Sequence, residues 1–157
     1  MTITLAQVNG DNWEIALQLS VHPEQLRFVA EYAPIAAIGL AKAYVRPYEK
    51  IWFPYAIYAD DQLVGFLELA YNPDSAHQYW LFHFFIDQSQ QGKGYGKQAL
   101  EVLISFVQEN YPLCRELKLS VNPENLVAQQ LYSRRGFEPT GEAFDNGELV
   151  YALRIEA

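Results

Sequence analysis

Gln91-Gly92-Lys93-Gly94-Tyr95-Gly96 stands between an apolar run, Phe82 to Ile86, and a helical pattern, Lys97 to Val107. Strand, glycine-rich loop and helix in that order make an arrangement that holds phosphate. A helix N-terminus offers amide N–H groups without intrahelical partners and the positive end of the macrodipole. Alternate glycines remove the side chains that would hold an anion away from the backbone, and they accept the positive φ of a curled loop. Lys93 and Lys97 add positive charge at the same place, in a chain with 11 Lys and Arg against 19 Asp and Glu.

Two common phosphate loops fit poorly. A Walker A loop needs Gly-Lys followed by Ser or Thr, and Gly96-Lys97 is followed by Gln98. The dinucleotide fingerprint finds its letters in Gly94, Gly96 and Ala99, but the preceding strand ends near Asp87, too early for that motif.

A second motif lies downstream. Glu116 to Val121 alternates apolar and polar residues as a half-buried strand does. A helix then follows, with Asn122 as cap, Pro123 at its first position and Gly136 just past its end. Asn125, Ala128 and Tyr132 share one face, while Leu126 and Leu131 reach toward the core.

With Gln91, Gly94 and Gly96 followed by Asn125, Ala128, Tyr132, Gly136 and Phe137, the chain resembles the GNAT superfamily of acetyl-CoA-dependent N-acetyltransferases. Within it, the chain is most similar to bacterial spermine/spermidine acetyltransferases. Residues 21–30, Leu63 to Phe66, Trp80 to Asp87 and 141–151 carry that finer resemblance. The implied fold is mixed α/β, a central mixed sheet of about seven strands flanked by helices, with strands four and five parallel.

The coarse pattern suits a single domain over 1–157. Thr2 to Val8 reads as a strand; Asp11 to Ser20, Pro23 to Tyr32 and Pro34 to Tyr44 read as helices. Trp52 to Ala59 and Leu63 to Ala70 form a hairpin about Asp60-Asp61, and Tyr79 to Asp87 is the fourth strand. Gly94 to Asn110, Leu117 to Val121 and Glu124 to Arg135 follow as helix, strand and helix, and a hairpin about Asp145-Asn146-Gly147 closes the chain. Apolar residues make up 50% of the chain, enough for one packed core. No stretch approaches the ~20 apolar residues of a membrane span, and the single cysteine, Cys114, forms no internal disulfide, so a cytoplasmic location is expected. His22, His77 and His83 lack ligand spacing, so no metal is expected, and Cys114 has no histidine partner in sequence.

The resemblance implies roles for particular residues. The pyrophosphate of acetyl-CoA, the expected cosubstrate, would meet Gln91, Gly92, Lys93, Gly94, Tyr95, Gly96 and Lys97. The pantetheine arm would run along Phe84, Phe85 and Ile86 and meet Asn125. Tyr132 would stand near the sulfur as general acid for the departing thiolate. Many members place a carboxylate base on the fourth strand, whereas here Trp80, Phe82, Phe84 and Ile86 alternate on one face. Glu68 on the third strand, His83 on the fourth and a chain of waters are the candidate proton routes. Tyr44, Tyr48, Trp52, Phe53 and Tyr55 are candidates for the acceptor wall.

Charge narrows the acceptor. Nine acids stand against four bases up to Trp80, and ten against seven beyond it, within a net charge of −8. That excess attracts cationic amines, polyamines first, and disfavours nucleic acid. The expected partner is a small amine, with no membrane, and exposed sheet edges permit a homodimer. The competing expectation is a CoA-binding sensor with weak or no catalysis.

Overall fold

From Leu63 to Ala70 every residue is buried. Apolar side chains buried without alternation require cover on both faces of the sheet. The computed structural model, which describes residues 2–30 and 32–156, places this segment at the heart of a sheet of seven strands. These are β1 (Ile3–Gln7), β2 (Ile51–Ala59), β3 (Gln62–Tyr71), β4 (Tyr79–Ile86), β5 (Glu116–Val121), β6 (Glu138–Ala143) and β7 (Leu149–Arg154). Their spatial order is β1-β2-β3-β4-β5-β7-β6, and only β4 and β5 pair in parallel. The edge strand β6 is exposed throughout and contains Pro139 and Gly141, residues that suit a strand with one free side.

Helices cover both faces. On one lies α4 (Tyr95–Asn110), whose buried Tyr95, Ala99, Leu100, Leu103 and Val107 form a single stripe. It packs with Leu67, Leu69, Leu81, Leu117 and Leu119. The helix α5 (Leu126–Arg134) joins the same core through Tyr132 and the partly buried Leu131. On the other face α1 (Trp13–Gln18), the single turn α2 (Leu26–Val29) and α3 (Ile35–Val45) cover Ala56, Phe66 and Phe85. Contact with α3 is close at Gly39: a Cβ there would stand 2.7 Å from the Phe66 ring and 2.9 Å from Glu68 Oε1. Among the described residues no helix is long and apolar enough to cross a membrane.

Three local expectations change. The helix expected over Pro23 to Tyr32 is a 3-10 turn, Pro23–Gln25, followed by α2; Glu31 lies outside the described residues. The cap of α5 is Asn125, whose Oδ1 accepts from the Ala128 N–H at 3.2 Å, while Asn122 accepts from the Glu124 N–H and shapes the turn before it. Leu126, expected to reach the core, is the first residue of α5 and is 66% exposed.

The third change is in β4. Phe82 pairs with Glu68, but Phe85 pairs with Phe66, so two residues of β4 oppose the single Leu67. His83 takes φ 53° at this bulge. The extra residue reverses the alternation. Phe84 and Ile86 turn toward the core under α4 and Phe85 toward Phe66, so Phe82 does not share a face with Phe84 and Ile86.

Candidate active site

β4 and β5 pair only through Tyr79, Trp80 and Leu81 with Leu117, Lys118 and Leu119. Beyond Leu81 the strands separate. The remaining residues of β4 have no ladder partner in β5, and two clefts open at the gap.

The first cleft, about 440 Å³, runs from the glycine loop to α5. Gly92 and Gly94 take φ 81° and 82°, a conformation that side chains resist. Gly94 caps α4, and the first bond inside the helix runs from Gln98 N–H to the Gly94 carbonyl. The amides of the preceding turn are thereby aimed at the loop, as a diphosphate requires. Gln91 holds the loop in place: its Nε2 donates to the Ile86 carbonyl at 3.0 Å and to Gln25 Oε1 at 3.0 Å, and its Oε1 accepts from Gln25 at 3.2 Å. With both ends of its amide occupied, Gln91 shapes the cradle rather than reaching into it.

Phe84, Phe85, Ile86, Gln91, Gly92, Gly94, Tyr95 and Gly96 all line this cleft, as do Asn125 and Tyr132 across the gap. Lys93 and Lys97 do not. Both are exposed, and Lys93 donates to Gln90 Oε1 at 3.0 Å. With its Oδ1 spent on capping α5, Asn125 has its Nδ2 donor left for a ligand carbonyl. A glycine cradle continuing into an unpaired strand end fits a ligand with a diphosphate at one end and amides along its length.

The second cleft, about 570 Å³, lies on the other side of the gap and shares Phe28, Val29, Phe84 and Tyr132 with the first. Tyr132 therefore stands where the clefts meet. Its ring packs edge-on to Phe137 at 5.8 Å, and burial alone pushes its phenol above the ordinary value. A raised phenol pKa keeps the proton on Tyr132 at neutral pH, the state an acid needs.

The two base candidates are placed differently. His83 lines the second cleft. Its Nδ1 lies 3.1 Å from the Val29 carbonyl, which can only accept, so Nδ1 carries the ring proton. Nε2 then accepts from the Lys42 ammonium at 2.9 Å. Burial first, and the Lys42 charge second, lower the imidazole to about 4. His83 is neutral at pH 7, with its lone pair engaged. Glu68 is 0% exposed, lines neither cleft, and has no hydrogen-bond partner on either oxygen. Burial raises its carboxyl to about 8, against the opposing charge of Lys42.

Of the aromatic residues expected to line the acceptor wall, only Tyr48 does so. Trp52 and Tyr55 are buried, Tyr55 with its hydroxyl 2.9 Å from that of Tyr111, and Tyr44 is 90% exposed. The wall is built instead from Phe28, Phe82, Phe84 and Phe144, with Arg27, Lys42, Ser120 and Glu148 among its polar residues. Arg27 and Glu148 fall inside the stretches that carry the finer resemblance, but none of these four polar residues is given a role there. Cys114 is buried, and burial lifts its thiol to about 11, where it is a poor nucleophile. No group of His, Cys, Asp and Glu among the described residues could hold a metal ion.

This geometry has counterparts. The chain is 36% identical to the spermine/spermidine N(1)-acetyltransferase of Bacillus subtilis, over 99% of this chain and 100% of that protein. The fold superposes on a spermidine N-acetyltransferase from Vibrio cholerae, solved with CoA and spermine, with a TM-score of 0.75 at 18% identity, covering 98% of this chain and 95% of that one. It also matches an aminoglycoside acetyltransferase solved with coenzyme A, at a TM-score of 0.75 and 15% identity, over 98% and 95% of the two chains. Residues 13–137, which hold the glycine loop, the separated strands and Tyr132, match the acetyltransferase (GNAT) family. The protein that joins these two clefts at Tyr132 is a member of that family.

Proposed function

We propose that this chain transfers the acetyl group of acetyl-CoA directly to a primary amine of a polyamine such as spermidine or spermine. The observation that carries the proposal is the meeting of the two clefts at Tyr132 and Phe84. A donor held in the glycine cradle and an acceptor in the aromatic cleft would face each other across the end of the paired part of β4. The full-length relationship to a polyamine acetyltransferase supports the acceptor class, and the net charge of −8 favours a polycation.

Acetyl-CoA, when bound, supplies a thioester that an amine can attack. The glycine loop and the N-terminal turn of α4 hold the diphosphate, and Asn125 orients the arm by donating from Nδ2. Phe84 and Tyr132 flank the junction of the two clefts. Tyr132 holds a proton on its hydroxyl and gives it to the sulfur as the C–S bond breaks.

An alkylammonium, with a pKa near ~10, must lose a proton before its nitrogen can attack. Glu68 lines neither cleft and is mostly protonated at pH 7, while the His83 lone pair is engaged by Lys42. The proton therefore leaves through water in the open acceptor cleft, and kcat/KM should climb with pH toward the pKa of the amine. The deciding experiment is a panel of primary amines with acetyl-CoA, following CoA release. Spermidine and spermine should lead. Tight CoA binding with no release from any amine would favour a CoA sensor instead.

A further inference from the structure

The closing hairpin brings a carboxylate to the acceptor cleft. Glu148 stands just before β7, and both of its oxygens are held: Ser120 Oγ donates to Oε1 at 2.7 Å and Asn146 Nδ2 to Oε2 at 2.9 Å. The Glu148 N–H donates in return to Asn146 Oδ1 at 3.0 Å, so the turn and the side chain fix each other. These donors are neutral and leave the negative charge uncancelled. No ion pair within the described residues includes Glu148. Two of a carboxylate's roughly four acceptor positions are taken, which leaves room for a further donor. Among the described residues lining the cleft, Glu148 is the only carboxylate.

The surface beside it is aromatic. Phe82 stacks with Trp80 at 5.9 Å, and Trp80 meets Phe144 at 5.5 Å. This row already carries cations: Lys118 lies 5.6 Å from the centre of the Trp80 ring and Lys42 5.5 Å from that of Phe82. The cationic side chains in the cleft are engaged elsewhere, Arg27 with Glu124 and Phe28, and Lys42 with His83.

We infer that Glu148, held by Ser120 and Asn146 beside the Phe144 ring, binds the ammonium of the acceptor that does not react, and so selects diamines and polyamines over monoamines. A fixed carboxylate with lone pairs to spare, next to an aromatic face, matches an alkylammonium in both charge and shape. The inference rests on the acetyltransfer proposed above.

Its test compares spermidine with hexylamine, which has a reacting amine but no second charge. In Glu148→Gln the ratio of kcat/KM for spermidine to that for hexylamine should fall about 10- to 100-fold, mainly through the KM of spermidine. The KM of spermidine should also become less sensitive to salt. An unchanged ratio, or an equal loss on both amines, overturns the assignment while wild-type turnover keeps the parent proposal standing. If no amine of the panel leads the wild-type protein to release CoA, the parent proposal fails and the anchor falls with it. Should Glu148→Gln melt below the assay temperature, Glu148→Asp replaces it. That variant keeps the charge but withdraws it by one methylene, and its ratio should fall by a smaller factor; an unchanged ratio again overturns the anchor.

Discussion

The two clefts that meet at Tyr132 are built from different materials. The donor cleft is largely backbone: glycines at positive φ, the N-terminal amides of α4 and the end of β4 where its ladder with β5 stops. The acceptor cleft is largely side chains from distant segments, among them Phe28, Lys42, His83, Ser120 and Glu148. Backbone geometry tolerates few sequences, so it leaves a motif. A wall of side chains can be rebuilt residue by residue on the same frame, and it lets one fold serve different acceptors.

Substitutions on the two sides should therefore fail differently. The largest effect belongs to the junction. Tyr132→Phe removes the hydroxyl proposed as proton donor and little else, and should lower kcat about 10²- to 10⁴-fold while the KM for acetyl-CoA changes little. Steady-state kinetics on spermidine decides this, and a kcat within a few-fold of wild type would remove Tyr132 as the acid.

On the donor side, Gly94→Val forces a β-branched residue into φ 82°. CoA binding should weaken about 10-fold or more by calorimetry, in keeping with a strain of ~1–2 kcal/mol. Equal affinity would show that the loop geometry is not what binds the diphosphate.

Behind the acceptor cleft, Glu68 makes stability depend on pH. Burial lifts its folded-state pKa to about 8, above the ordinary carboxyl value of 4.5, so the native state holds the proton longer than the unfolded chain does. Its contribution is full below pH ~4.5 and is lost as pH rises through about 8. His83 acts oppositely: with its pKa lowered to about 4, its contribution is full above 6.5 and is lost as pH falls. The two offset each other at mildly acidic pH, and Glu68 dominates from pH ~6.5 to 8, where about 2 kcal/mol should disappear. Denaturant unfolding of Glu68→Gln should lack that decline, and a decline equal to wild type would contradict it.

The smallest effect is expected at Lys97, which is exposed and outside the donor cleft. Lys97→Ala should raise the KM for acetyl-CoA by less than about 5-fold, and only at low salt, where exposed charges are poorly screened. A larger, salt-independent loss would place it in direct contact with phosphate.

The same division explains what could be read from the sequence. Gly92 and Gly94 take the positive φ that alternate glycines announced, and they line one cleft with Asn125 and Tyr132, residues a short motif could mark. The facing of β4 was not legible. His83, a non-glycine residue, adopts φ 53° at the bulge, and strict alternation then assigned Phe84 and Ile86 to the wrong side. Asn122 and Asn125 are both plausible caps, and only the bond to the Ala128 N–H distinguishes them. Asp145-Asn146-Gly147 was sufficient reason for a turn, which left no reason to ask what Glu148 does. Ser120 and Glu148 are close only because β5 pairs with β7, a tertiary fact with no local signal.

The claim that the two clefts form one reaction path is tested most directly with a ligand that occupies both. A bisubstrate compound, CoA joined through an acetyl bridge to spermidine, should bind at least ~100-fold more tightly than CoA alone, because the second half binds without a second association step. An affinity for that compound equal to the affinity for CoA would mean that the acceptor cleft does not meet the donor cleft at Tyr132.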